Sequence, residues 1–254
     1  MRINLNGVQI TVANLNKSIS IMQKNIGKSG YICLPNAYVL AKAEKNKLLS
    51  AILNNSMATF PDGKLLELLA KLKGYNEVST VSGYYLLEYF LNNDKTSHYF
   101  YGTNDQTLNK LKKRIYQLHP KANLIGFKEA PYLGLDEIKN NLKIKSDLIE
   151  IAKLSPDILW IGLSSPKQDY IMHYYHNLFE STILVGIGAV FDYYSGVVKI
   201  SPEWVKRCGF RWLYRFFREP LRMYRKTFQL FIFSFKIITK TVALKLWKYS
   251  HGRK

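Results

Sequence analysis

Seven short apolar runs, each closed by small or polar residues, alternate along this chain with stretches of helical period. The runs are residues 8–12, 31–34, 56–60, 97–101, 122–126, 157–162 and 182–188. Helical spacing predicts helices over 14–26, 37–53, 65–72, 106–118 and 167–178, one running to Leu91 from a cap at Thr80 or Ser82, and one ending at Leu154. Strand–helix alternation this regular predicts an α/β fold: a Rossmann-like, mostly parallel sheet with helices on both faces.

In a parallel sheet all strand C-termini lie on one edge, where ligands bind. The residues that follow the runs are therefore the candidates for a site: Asn36, Asp62 with Gly63, Gly102 with Thr103, the turn 165–168 with Lys167 and Gln168, and Gly188. Asp62 stands out. Pro61 and Gly63 break both periods, so its carboxylate sits between a strand end and a helix start. There it can cap the helix, a favoured role for Asp, or take a proton from a substrate hydroxyl. Asn36 is placed to cap the helix at 37. Gly102-Thr103-Asn104 is a small-residue turn of the kind that presents backbone N–H groups to phosphate, without a full dinucleotide or Walker pattern.

Several chemistries find no support. There is no Asp-x-Asp pair to clamp a divalent metal. His173 and His176 have no nearby Cys or second His pair of zinc-site spacing. No Gly-x-Ser-x-Gly elbow occurs. The two cysteines, Cys33 and Cys208, are too few for a disulfide framework and fit a reduced, cytosolic setting. Residues 1–7 lack the apolar core of a signal peptide, and no run reaches the ~18 apolar residues of a spanning helix. No cofactor is expected.

Charge divides the chain. Its net charge is +19, yet residues 205–254 hold 14 Lys or Arg against one acid, Glu219. Arg218, Arg222, Arg225, Lys236 and Lys240 recur at helical spacing, and Phe228, Phe231, Phe235, Ile238, Val242 and Leu246 recur on another face. Residues 1–204 therefore read as a catalytic core and 205–254 as a basic, amphipathic helical appendage suited to an anionic membrane surface. A nucleic-acid-binding protein would explain the charge alone. It would not explain an acid at the ligand edge or a phenylalanine stripe, so nucleic acid is not expected as a partner.

Read together, the motifs resemble the WecG/TagA/CpsF glycosyltransferase family. They are Pro35-Asn36, Pro61-Asp62-Gly63, Gly162 with Pro166-Lys167-Gln168-Asp169, Gly186-Ile187-Gly188 with Phe191-Asp192, Pro202-Glu203-Trp204, Trp212-Leu213-Tyr214-Arg215, Glu219-Pro220, Arg222 and Arg225. The resemblance spans about residues 8–225. It implies a metal-independent, inverting enzyme at the inner face of the cell membrane. That enzyme would move an N-acetylmannosamine-type or related hexose from a UDP-sugar to a polyprenyl-diphosphate-linked acceptor in cell-surface polysaccharide or teichoic acid assembly. It also implies Asp62 as general base and closure by Arg215, Arg222 and Arg225. Strand-end position and the motifs together make Asn36, Gly63, Gly102, Thr103, Gly162, Pro166, Lys167, Gln168, Gly188 and Asp192 the candidates for substrate contact. Self-association through the core is a further implication. The chain departs from the family pattern at Leu34, where a Thr is usual, at Asp169, where a Glu is usual, and at Gly209-Phe210-Arg211, where Gly-Leu-Glu is usual.

Overall fold

The first turn, Asn6-Gly7, folds the chain back on itself, with φ of 54° and 89° at its two residues. Positive φ at both central positions matches the twist of flanking strands. Strand β1 (Arg2–Leu5) therefore pairs antiparallel with β2 (Val8–Thr11), Leu5 opposite Val8 and Ile3 opposite Ile10. This hairpin is a separate two-stranded sheet. The run at 8–12 thus stands outside the main sheet, contrary to its place in the strand–helix alternation. Arg2 anchors the hairpin through bonds to the carbonyls of Asn54 (2.8 Å), Met57 (2.7 Å) and Ser56.

A computed structural model describes residues 1–199 and, beyond them, Pro202, Val205, Tyr214, Phe217, Phe233 and Thr239. After the hairpin come α1 (Leu15–Gln23), β3 (Gly30–Cys33), α2 (Ala37–Lys45), α3 (Lys47–Asn54), β4 (Ala58–Thr59), α4 (Lys64–Leu72) and α5 (Gly83–Leu91). The second half holds β5 (Ser97–Gly102), α6 (Asp105–Leu118), β6 (Asn123–Lys128), α7 (Leu142–Lys153), β7 (Ile158–Gly162), α8 (Lys167–Tyr175), β8 (Ile183–Gly186) and α9 (Val190–Tyr194).

The helix expected over 37–53 is two helices. Asn46 leaves the helical region (φ −130°, ψ 100°), and its side chain caps α3 by accepting from the Leu49 N–H at 2.9 Å. Both halves face the same core, so the apolar period runs through the break. The helix ending near Leu154 begins only at Leu142, and α8 gives way to a 3₁₀ turn at His176–Leu178.

Six strands form one sheet in the order β4-β3-β8-β7-β5-β6, and every neighbouring pair is parallel. Two buried layers flank it. One gathers Val39 and Leu40 of α2, Leu66 and Leu69 of α4, Leu148 of α7 and Met172 of α8. The other gathers Met22 of α1, Leu86 of α5, Leu111 of α6 and Phe191 of α9. Right-handed crossovers account for the division, because a helix changes face when the next strand is added on the opposite side. Phe233 belongs to the first layer and is 5% exposed. No helix among the described residues is long and apolar enough to cross a membrane.

Candidate active site

The helices that follow β3 and β7 lie on one face of the sheet, while α9, which follows the strand between them, lies on the other. Where neighbouring strands send their helices apart, their C-termini flank an open crevice. The candidate residues after β3, β4, β5, β7 and β8 all lie along this edge.

The left side of the crevice joins two turns. Asn36 is exposed and caps α2, its Oδ1 accepting from the Val39 N–H at 3.2 Å. The Asp62 N–H donates to the Pro35 carbonyl at 3.0 Å. That bond sets the Asp62 turn against the Asn36 turn. Gly63, with φ 105°, takes the N-cap position of α4 and has no side chain to cap it. Asp62 thus precedes the N-cap residue, and this half-buried residue stands two residues before the first residue of α4.

Glycines shape the middle. Gly102 and Gly162 face each other across β5 and β7. A β-carbon on Gly102 would come within 2.8 Å of the Gly162 backbone, and one on Gly162 within 2.1 Å of the Phe191 ring. The bare backbones let both strand ends and α9 meet closely under the crevice. Thr103 follows with φ 45°, a left-handed conformation that a β-branched residue rarely adopts. Gly188 (φ 56°) lies beside the Gln168 amide.

Gln168 and Asp169 open α8 and are almost fully buried. Gln168 Nε2 donates to Ser165 Oγ at 3.0 Å, while its Oε1 has no hydrogen-bond partner. A buried amide oxygen without a donor is costly, and beside Gly188 it is placed to accept from a ligand hydroxyl. Burial pushes the Asp169 carboxyl up to about 7. Neither of its oxygens meets a donor at full hydrogen-bond geometry. The Cys33 thiol, its own backbone N–H and Ser165 lie near enough to draw the value part of the way back. Burial, together with the Asp169 charge, also raises the Cys33 thiol well above its ordinary range. Cys33 is thus a neutral packing group rather than a nucleophile.

On the right, a cavity of about 260 Å³ opens between the ends of β5, β6 and β7. Thr103, Asn104, Tyr132, Leu163, Ser164 and Lys167 line it. Tyr132 stands at its mouth, 98% exposed, with the Lys167 ammonium 4.7 Å from its ring centre. A cavity smaller than the roughly 300–1,000 Å³ of whole-ligand sites holds one ring of a larger ligand, and the lysine beside it suits an anion. Nothing in the sequence pattern pointed to Tyr132, because the loop after β6 carries no periodicity.

Asp192 is half-buried in α9, and its carbonyl accepts from the Val198 N–H at 3.0 Å. Pro166 is buried at the start of α8. Arg215, Arg222 and Arg225 lie outside the described residues. Among the described residues no three His, Cys, Asp or Glu side chains come together as a metal site would require.

Two relatives set this geometry in context. The N-acetylglucosaminyldiphosphoundecaprenol N-acetyl-beta-D-mannosaminyltransferase of Bacillus spizizenii is 27% identical over 201 residues, covering 78% of this chain and 75% of the relative. The enzyme of the same name from Bacillus subtilis is 25% identical over 219 residues, covering 84% and 82%. The profile of the glycosyl transferase WecG/TagA/CpsF family matches residues 3–246, so the chain belongs to that family and is a glycosyltransferase.

Proposed function

We propose that the protein transfers an N-acetylmannosamine-type hexose from a UDP-sugar to a polyprenyl-diphosphate-linked acceptor sugar, with inversion and without a metal. The observation that carries this reading is the seat of Asp62: a carboxylate at the ligand edge, just before the N-cap residue of α4, on a turn bonded to the Asn36 turn. The named activity of the two Bacillus relatives supports the acceptor class.

The chemistry follows from the arrangement. Asp62 takes the proton of the acceptor hydroxyl as its oxygen bonds to the anomeric carbon. The bond from that carbon to the diphosphate breaks on the opposite side, and UDP leaves with the electron pair. A single displacement inverts the centre. Lys167 and the backbone N–H groups beyond Gly102 and Gly188 face the developing negative charge, where fixed donors are most effective. The cavity beside Tyr132 receives one ring of the donor, and the Gln168 oxygen accepts from a sugar hydroxyl. Residues 1–204 form the core that holds both substrates. Residues 205–254 dock on the inner face of the membrane, where the acceptor is anchored, and bring Arg215, Arg222 and Arg225 to the diphosphate.

The test is turnover of UDP-N-acetylmannosamine with a synthetic short-chain polyprenyl-diphosphate N-acetylglucosamine, read as UDP release. Asp62→Asn should fold normally and lose about 10²–10⁴ in rate, as expected for loss of a general base. A folded Asp62→Asn variant with near wild-type turnover would overturn the assignment.

A further inference from the structure

Glu67 is a buried carboxylate on α4, 4% exposed, five residues past Asp62. One of its oxygens meets two ammonium groups, Lys64 Nζ and Lys71 Nζ, each at 2.7 Å. The other accepts from the backbone N–H and the hydroxyl of Thr80, each at 3.1 Å. Burial alone would raise its carboxyl, yet the two lysines and Thr80 outweigh burial and bring it down to about 2. Glu67 is therefore charged throughout the physiological range.

Two of its partners, Thr80 and Lys64, adjoin the turn that carries Asp62. Val81, next to Thr80, donates its N–H to the Pro61 carbonyl at 2.8 Å. The segment that Glu67 holds is thus bonded to the residue before Asp62. On the other side, Lys64 is the first residue of α4. A cation in the first helical turn opposes the helix dipole, and here the Glu67 carboxylate compensates for it. Lys64 is only two residues from Asp62, on a long and flexible stem. Without Glu67, its ammonium loses the carboxylate that holds it at 2.7 Å. An ammonium paired with a carboxylate weakens it as a base about ten- to a thousandfold.

We propose that Glu67 is a positioning residue for Asp62: it fixes the Thr80–Val81 segment against the Pro61-Asp62-Gly63 turn and keeps the Lys64 ammonium away from the proton acceptor. The proposal rests on the reading of Asp62 as the general base. An ion-pair network that served only stability would leave turnover alone once the protein is folded, so the two roles separate in kinetics.

The experiment compares Glu67→Gln, Lys64→Met, the double variant Glu67→Gln with Lys64→Met, and Asp62→Asn. The substrates are UDP-N-acetylmannosamine and the synthetic lipid acceptor, and thermal melts accompany each assay. Gln keeps the length of the side chain and its bonds to Thr80. Glu67→Gln should lower kcat about tenfold, with the KM for the UDP-sugar changed less than about twofold. The double variant should recover kcat to within about threefold of Lys64→Met. Should Glu67→Gln fail to fold, the pair Glu67→Met with Lys64→Met replaces it: lacking an acceptor for Thr80, it should turn over more slowly than Lys64→Met, and an equal rate would overturn the positioning role. Full kcat in Glu67→Gln, or a loss that removing Lys64 does not recover, would overturn the proposal. If Asp62→Asn itself turned over normally, the general-base reading would fall first. An inactive Asp62→Asn beside unaffected Glu67 variants would sink the Glu67 proposal alone.

Discussion

The Nε2 of Gln168 lies 2.8 Å from the point a β-carbon on Gly186 would occupy, and the Met172 terminal methyl lies equally close. The last residue of β8 thus leaves room for the side chain whose buried oxygen faces the crevice. Gly186→Ala should displace Gln168 and lower transfer at least about tenfold. Crowding of this kind costs about 1–3 kcal/mol, so the melting temperature should fall by several degrees. Gln168→Ala made in the Gly186→Ala background should then add little further loss, since both changes remove the same contact. Independent, multiplying losses would contradict the link.

Asp169 predicts a pH dependence of stability. Its folded value, about 7, stands above the ordinary carboxyl value of 3.8 because it is buried. The folded protein therefore holds that proton more tightly than the unfolded chain. The resulting stabilisation is complete below about pH 4 and is lost as pH rises through 7. Melting temperature plotted against pH should decline from pH 5 to 8 more steeply in the wild type than in Asp169→Asn. His98, lowered by burial to about 4, acts in the opposite sense between pH 4 and 6.5, but is common to both proteins. Glu67 titrates well below this window. Parallel curves for the two proteins would show that Asp169 is ionised throughout.

Metal independence is tested by chelation. Among the described residues no cluster of three metal-binding side chains exists, and Lys167 and the C-terminal arginines offer the charge a metal would otherwise supply. Excess EDTA should leave UDP release within about twofold of the untreated rate. Abolition by EDTA, with recovery on adding Mg²⁺ or Mn²⁺, would contradict the mechanism.

The C-terminal segment should couple membrane docking to transfer. Each Lys or Arg near an anionic surface contributes about 1 kcal/mol, and residues 205–254 carry 14 of them. Deleting residues 206–254 should leave a folded protein that still binds UDP, with a lower melting temperature because buried Phe233 is lost. Transfer to the lipid-linked acceptor should drop strongly. Arg215→Ala, Arg222→Ala and Arg225→Ala should each reduce transfer more than binding to vesicles containing phosphatidylglycerol. A truncated core as fast as the full chain would refute the coupling.

The main sheet was legible because its strands are apolar runs ending in turns, and the same turns supplied the candidate residues along its edge. Asn36 caps α2 as its position before the helix predicted. The first hairpin was hidden by its length: β1 has four residues, too few to show a period, although Asn6-Gly7 is itself a strong turn signal. The break at Asn46 was hidden because both helices bury the same face. Nothing in the helical pattern of residues 65–72 marks Glu67. Only the fold brings Thr80, 13 positions later, onto its second oxygen. The cavity beside Tyr132 is likewise a product of folding, assembled from three separate strand ends.

The pairing of β3 with β8 sets Gly30 opposite Ile183. Asn36 and Asp62 are thus made early in synthesis, while the strand that completes their side of the crevice emerges from the ribosome only after most of the chain. Closing so long a loop is entropically slow. The nascent protein therefore carries Asn36 and Asp62 long before the sheet edge beside them is complete. The candidate site is thus completed only by the last strand of the sheet to be made.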